Sequence, residues 1–182
     1  MFWRGASTGG RVWLGVKRWQ DVPRFRLCLM AAALDPDKFD IGISNIVQIR
    51  DSRERDEIAA SNVLKPRVPL IDFMKYQFAI DIDGNTYSWP GMFTKLLMGN
   101  TIIKIESPLG FRQWYYDDLI PGCNYVAISP EMRELSEVYE TLLQSPERAR
   151  AIADEGRQLG SRLSFKSAIM SVIPRIAYAL QH

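Results

Sequence analysis

Two short stretches of the chain carry residue types able to hold an anion. The first, Arg4-Gly5-Ala6-Ser7-Thr8-Gly9-Gly10, sets an arginine and two hydroxyls among small residues. Small residues let a backbone approach an anion, hydroxyls donate hydrogen bonds, and a guanidinium forks onto phosphate oxygens. It is not a Walker loop, since no Gly-Lys-Ser/Thr follows, and a flexible amino-terminal loop would use the same residues. The second, Asp83-Gly84-Asn85-Thr86-Tyr87-Ser88-Trp89, stands between a strand pattern and a helix pattern. There the N–H groups and partial positive charge of a helix N-terminus suit a phosphate or diphosphate. A capped surface turn without a ligand fits that spacing equally well.

The elements that would position the second stretch are legible around it. Tyr76 to Ile82 is an apolar and aromatic strand pattern, broken by the turn residues Asp83-Gly84-Asn85-Thr86. Ser88 is placed to cap a helix with Pro90 in its first turn. Phe93, Leu96 and Leu97 share one helical face, Gly99-Asn100 ends the helix, and Thr101 to Ile105 is a second strand. Strand, helix and strand make a right-handed parallel βαβ unit. Its loop lies at the carboxyl end of the strand, where open α/β sheets bind ligands.

The rest of the chain continues the alternation. A helix is expected from about Asp21 to Leu34, with Pro23 in its first turn, and a strand over Phe39 to Ile49. Arg50 to Ala60, rich in both charges, is expected as an exposed loop with a helical turn. Val63 to Pro69 should be extended and Leu70 to Lys75 a short helix. Phe111 to Leu119 is expected as another short helix with Trp114 and Tyr115 in the core, and Tyr125 to Ile128 as a strand. Helices over Met132 to Leu143 and Glu147 to Leu163 are split by Ser145-Pro146, and a last helix from about Ser164 is interrupted near Pro174. The pattern predicts an α/β fold: a parallel sheet with helices on both faces, as one Rossmann-like domain over residues 1–182 with a C-terminal helix at 164–182.

Composition narrows the function classes. A net charge of +2 over 182 residues gives no electrostatic footprint for nucleic acid. Cys28 and Cys123, both in apolar surroundings, are expected as buried thiols in a reducing compartment. The one histidine is the last residue, which argues against a histidine-based triad or a histidine-rich metal site. No apolar run reaches the length of a membrane span, and Met1 to Trp13 lacks the core of a secretory signal. Met1-Phe2-Trp3 looks like the end of a strand running straight into a ligand loop, so a fragment or a truncated gene product is expected.

In order along the chain, these motifs resemble glycosyltransferase family 90, which includes Rumi-type protein O-glucosyltransferases, capsule-associated xylosyltransferases and lipopolysaccharide-modifying enzymes. The resemblance is carried by Phe2-Trp3-Arg4-Gly5, Lys75-Tyr76, Asp81-Ile82-Asp83-Gly84-Asn85, Ser88-Trp89-Pro90-Gly91 and Lys95-Leu96-Leu97. It continues through Gln113-Trp114-Tyr115-Tyr116-Asp117, Leu119-Ile120-Pro121, Asn124-Tyr125-Val126 and the segment from Ala149 to Gly156. The Ser-Trp-Pro-Gly version is similar to the bacterial branch.

The resemblance implies the C-terminal, donor-binding domain of a GT-B glycosyltransferase, with the N-terminal acceptor domain absent. The implied reaction is inverting transfer of a glucose- or xylose-type sugar from a UDP-sugar to a hydroxyl of a lipopolysaccharide, capsule or other glycan, including lipid-linked acceptors. It makes Arg4, Gly5, Ser7, Thr8, Asp83, Gly84, Asn85, Thr86, Tyr87, Ser88 and Trp89 the donor-binding set. Lys95 and Arg112 are candidates for a second cationic contact to the diphosphate. No metal or other cofactor is expected. The catalytic base is expected in the missing half, with Asp83 a loop-ordering or ligand-hydroxyl group instead of the base, so the isolated chain would be inactive or incomplete. Cytoplasmic location is expected from the lack of an export signal together with the implied use of UDP-sugars, and a lipid-linked acceptor would add peripheral contact at the inner membrane face. The alternative is a truncated nucleotide-binding or interaction module without turnover. Two departures stand out: Asn124 occupies a position that is histidine in many relatives, and Trp89-Pro90 replaces an arginine-containing variant.

Overall fold

The computed structural model describes residues 1–12, 14–88 and 90–181. Its centre is a five-stranded parallel sheet built from β1 (Phe2–Ala6), β2 (Asp40–Asn45), β3 (Phe78–Asp81), β4 (Thr101–Ile105) and β5 (Val126–Ile128). The spatial order is β2-β1-β3-β4-β5. This is a Rossmann-like, doubly wound arrangement whose direction reverses between β1 and β3, so the crevice outside their carboxyl ends is the topological switch point. The loops after these two strands are the two stretches singled out in the sequence.

Period-two alternation divides the sheet into two covered faces. Trp3, Ile41, Ile43, Phe78, Ile80, Ile103, Ile105 and Ile128 point into the larger core. There they meet α1 (Pro23–Ala32), α2 (Ser52–Ala60), α4 (Leu135–Gln144) and the start of α5 (Pro146–Arg162). On the other face Ile102 packs with Met92 and Leu96 of α3 (Gly91–Met98), Tyr115, Tyr116 and Leu159. Gly156 and Gly160 bring α5 close to α3: a Cβ at Gly156 would stand 2.8 Å from the Asn124 carbonyl oxygen, and one at Gly160 3.2 Å from Leu96 Cβ.

Several elements differ from the sequence expectation. Arg4, Gly5 and Ala6 belong to β1 itself, so the loop begins at Ser7. Residues 52–60 form the complete helix α2, because the Asp51 carboxylate caps the Glu54 N–H at 3.1 Å and Ile58 is fully buried. The second strand stops at Asn45, short of Ile49. Ser88 does not cap α3; Pro90 is the N-cap, and the Ser88 hydroxyl donates to Asp81 instead. The buried face of α3 is Met92, Lys95 and Leu96, whereas Leu97 is exposed. Residues 111–119 contain only a 3₁₀ turn at Tyr116–Asp118, with Tyr115 buried and Trp114 partly exposed. The last helix, α6 (Phe165–Gln181), runs through Pro174 without interruption. Cys28 is buried, where desolvation pushes its thiol up to about 12, but Cys123 is exposed. Among the described residues no single helix is long and apolar enough to cross a membrane.

Candidate functional site

The βαβ unit predicted from the sequence carries the densest cluster of buried charge. Asp81 closes β3 on the face opposite Ile80, and its register partner on β4 is Lys104, which lies between Ile103 and Ile105. Strand alternation therefore places a carboxylate and an ammonium side by side under α3. Lys104 Nζ is 3.3 Å from Asp81 Oδ2, and Lys95 Nζ reaches Asp81 Oδ1 at 2.7 Å. The Ser88 hydroxyl donates to Asp81 Oδ2 at 3.0 Å. Burial alone would raise the Asp81 carboxyl; the two ammonium groups and these hydrogen bonds outweigh it and hold the group well below the usual carboxylate range. A Cβ at Gly91 would lie 3.6 Å from Lys95 Nζ, so this ammonium sits beneath the first turn of α3.

Asp83 stands two residues on, 8% exposed. Its nearest cation is Lys104, with Nζ 3.8 Å from Oδ1, beyond hydrogen-bonding distance. Burial raises this carboxyl above its ordinary value, against the opposing influence of Ser107 and Lys104. Asp81 and Asp83 thus have environments that drive their ionisation in opposite directions.

Arg24, on α1, joins the two loops. Its guanidinium donates to the carbonyls of Ala6 at 3.1 Å, Ile82 at 3.2 Å and Asp83 at 2.8 Å, and to the Thr8 hydroxyl at 2.7 Å. Desolvation pulls its pKa down to about 10, opposed by Asp81 and Asp83, so it stays cationic at neutral pH. Gly84 is required by this junction, because a Cβ there would be 2.9 Å from Thr8 Oγ1 and 3.1 Å from Arg24 Nη2. In the sequence Arg24 stands in a basic run with Lys17, Arg18 and Arg26, a pattern more often found on a solvated face than at a site. Its signal is faint because its partners lie 16, 18, 58 and 59 positions away.

The sequence-derived set is only partly brought together. Thr8, Asp83, Gly84, Ser88 and Lys95 converge around the buried cluster through the contacts above. Asn85, Thr86 and Tyr87 continue the same loop and are half-buried, while Trp89 lies outside the described residues. Ser7 is turned elsewhere: its hydroxyl donates to the Val47 carbonyl at 2.8 Å and accepts from the Val47 N–H at 2.7 Å. Arg4 is turned toward the amino-terminal end of β2. Its Nη2 is 2.6 Å from Asp40 Oδ1, and its other nitrogens donate to the carbonyls of Trp3, Asp40 and Pro66. A Cβ at Gly5 would stand 2.5 Å from the Trp3 ring, so this glycine serves packing. Arg112 pairs with the exposed Asp117 at 2.6 Å. Asn124 ties its own turn, accepting from the Ile120 N–H and donating to the Asp118 carbonyl, both at 2.9 Å.

Two clefts open at the carboxyl edge. A narrow one lies between the loops after β1, β3 and β4, with Gly9, Gly10, Asp83, Gly84, Ser107 and Phe111 in its walls. A wider one of ≈ 910 Å³, its open mouth included, is walled by Lys104, Glu106, Ser107, Arg112 and Tyr116 among others. Concave sites of this size with a few convergent polar groups take small-molecule ligands. An aromatic groove formed by Tyr87, Phe93, Trp114 and Tyr115 borders α3 on its other side.

No protein-family model matches the chain. It is 25% identical over 165 residues to the uncharacterized protein 035R of Invertebrate iridescent virus 3, covering 85% of this chain and 14% of that protein. It is likewise 25% identical over 135 residues to protein O-glucosyltransferase 3 of Rattus norvegicus, covering 74% of this chain and 24% of the relative. The chain thus spans a quarter or less of the curated relatives it matches. Among solved structures it superposes on Anabaena HepE, determined in complex with UDP-glucose, with a TM-score of 0.62 at 12% identity over 96% of this chain and 48% of that one. That likeness establishes the fold: a Rossmann-like α/β sheet.

Proposed function

We propose that the chain is the donor-binding half of a family 90-like inverting glycosyltransferase, taking a UDP-sugar at the carboxyl edge of its sheet. The observation that carries this reading is the convergence of both predicted loops at the switch point, over Asp81, Lys95 and Lys104 beneath the first turn of α3. The O-glucosyltransferase match and the UDP-glucose held by HepE support it.

The buried cluster supplies the electrostatics such a reaction needs. Arg24, Lys95 and Lys104 against Asp81 and Asp83 leave one net positive charge under the loops. With the helix N-terminus above them, these cations favour a diphosphate and stabilise the negative charge that develops on it as the sugar departs. On this reading the protein's own cations do that work without a divalent ion. The acceptor, a glycan or lipid-linked hydroxyl, and the carboxylate that takes its proton belong to a further domain. The bacterial affinity, the cytoplasmic setting and contact with a membrane face are parts of the same proposal.

Calorimetric titration with UDP, in the presence of a chelator, tests it. Saturable UDP binding stronger than ADP binding is expected. Absence of UDP binding, or equal affinity for the two nucleotides, contradicts it.

A further inference from the structure

Six buried side-chain polar atoms among the described residues lack a hydrogen-bond partner, and four of them belong to Asp83, Tyr115 and Tyr116. Natural proteins rarely leave such groups unpaired, and a local concentration of them calls for a reason. Here both Asp83 oxygens and two phenol hydroxyls cluster around Asp81, Lys95 and Lys104. Tyr115 and Tyr116 are 2% and 7% exposed. Burial raises both phenols, so each remains an O–H donor at neutral pH, and Asp81 and Asp83 lie close enough to Tyr116 to raise it further. Lys104 links the groups: its ammonium is 3.8 Å from Asp83 Oδ1 and 5.0 Å from the centre of the Tyr116 ring. Ser88, Ser107 and the Phe93 backbone come near these atoms without closing well-aligned bonds.

What is unpaired identifies the guest. A carboxylate offers only acceptors and a phenol at neutral pH offers a donor. A phosphate would satisfy the phenols but meet repulsion from Asp83, and a cation would satisfy Asp83 but not the phenols. An alcohol hydroxyl does both, donating its proton to the carboxylate while accepting from the phenol. We propose that Asp83 and Tyr116 together form a hydroxyl-reading subsite for the ligand at this edge, Asp83 accepting from a sugar hydroxyl and Tyr116 donating to it. The inference rests on the nucleotide-sugar reading above and names residues that discriminate within it. The way in is short. Asp83 lines the narrow cleft, Tyr116 and Lys104 line the wide one, and Ser107 lines both. Glu106 and Phe111 share that dividing wall with Ser107.

The hydroxyl belongs to the nucleotide ribose or to the sugar attached to the diphosphate, and the experiment separates the two. The whole chain and the variants Asp83→Asn and Tyr116→Phe are titrated with UDP, 2′-deoxy-UDP and UDP-glucose. Tyr116→Phe keeps the ring and removes only an unpaired hydroxyl, so it preserves the fold. If the ribose is read, UDP binds the unaltered chain more tightly than 2′-deoxy-UDP; if the attached sugar is read, UDP-glucose binds more tightly than UDP. Asp83→Asn closes the relevant gap by about ten- to a hundredfold, the range for a hydrogen bond to a charged group, and Tyr116→Phe closes the same gap by up to about tenfold. A parallel loss of affinity for all three ligands, gaps unchanged in both variants, or an unaltered chain that makes no distinction among the ligands overturns the subsite. The unpaired atoms then hold an ordered water only. An unaltered chain that binds none of the three overturns the nucleotide-sugar reading itself, and the subsite with it.

Discussion

Lys95 Nζ lies 2.7 Å from Asp81 Oδ1, both side chains almost wholly removed from solvent, at the point where β3 gives way to the loop before α3. Two charges are buried there only because they neutralise each other and because Lys104 and Ser88 occupy the second carboxylate oxygen.

Asp81→Asn leaves two buried ammonium groups without their main counter-ion. The expected cost at neutral pH is about 3–5 kcal/mol, the range for breaking a buried pair from one side. The folded carboxyl is held below its unfolded value. Its contribution is therefore present above the ordinary carboxylate range and fades as the pH falls through the lowered folded value. Urea unfolding of both proteins at neutral and acid pH checks this. A small, pH-independent difference contradicts it.

Asp83 has the opposite sign. Its carboxyl is raised on folding, so the folded protein binds the extra proton and stability falls as the pH climbs through that window. Asp83→Asn removes a buried carboxylate that has no hydrogen-bond partner and is expected to stabilise the chain at neutral pH by about 1 kcal/mol. That corresponds to a melting shift of about 2–4 °C for a domain of this size. The gain should shrink on acidification. A destabilised variant would mean that the carboxylate serves the fold.

Arg24→Lys keeps the charge but loses the planar fork that spans Ala6, Thr8, Ile82 and Asp83. Amide hydrogen exchange should speed up in both loops, at Thr8 and Gly9 and again at Gly84 and Asn85, while the strands beneath keep their protection. Faster exchange in one loop alone would show that Arg24 does not couple them.

The βαβ unit could be read in the sequence because its signals are local. The apolar run into Asp81, the turn residues after it and the left-handed Gly99 at φ 76° all lie within one short segment. The site's inner layer was harder to see, although part of its signal was present: Asp81 and Lys104 are lone charges inside Ile80-Asp81-Ile82 and Ile103-Lys104-Ile105. Their pairing depends on strand register, which composition does not reveal. Arg24 and Arg4 show the same limit from two sides. Each guanidinium finds its partners across long sequence separations, so the arginine beside the glycines went to Asp40 and the one in an ordinary basic run went to the loops.

The placement of these two arginines is itself testable. Arg4→Ala breaks the pair with Asp40 and is expected to cost about 1–3 kcal/mol of stability, with a smaller effect on UDP affinity than Arg24→Lys. Thermal melting and calorimetry on both variants measure this. A larger loss of UDP affinity in Arg4→Ala would return Arg4 to the diphosphate.

Mapping UDP onto the chain by amide chemical-shift perturbation tests the central claim most directly. The account predicts saturable shifts concentrated at Thr8 to Gly10, at Asp83 to Ser88, in the first turn of α3 and at Ser107. No shifts, or shifts centred on α5 and α6 instead, would contradict a donor site at the switch point.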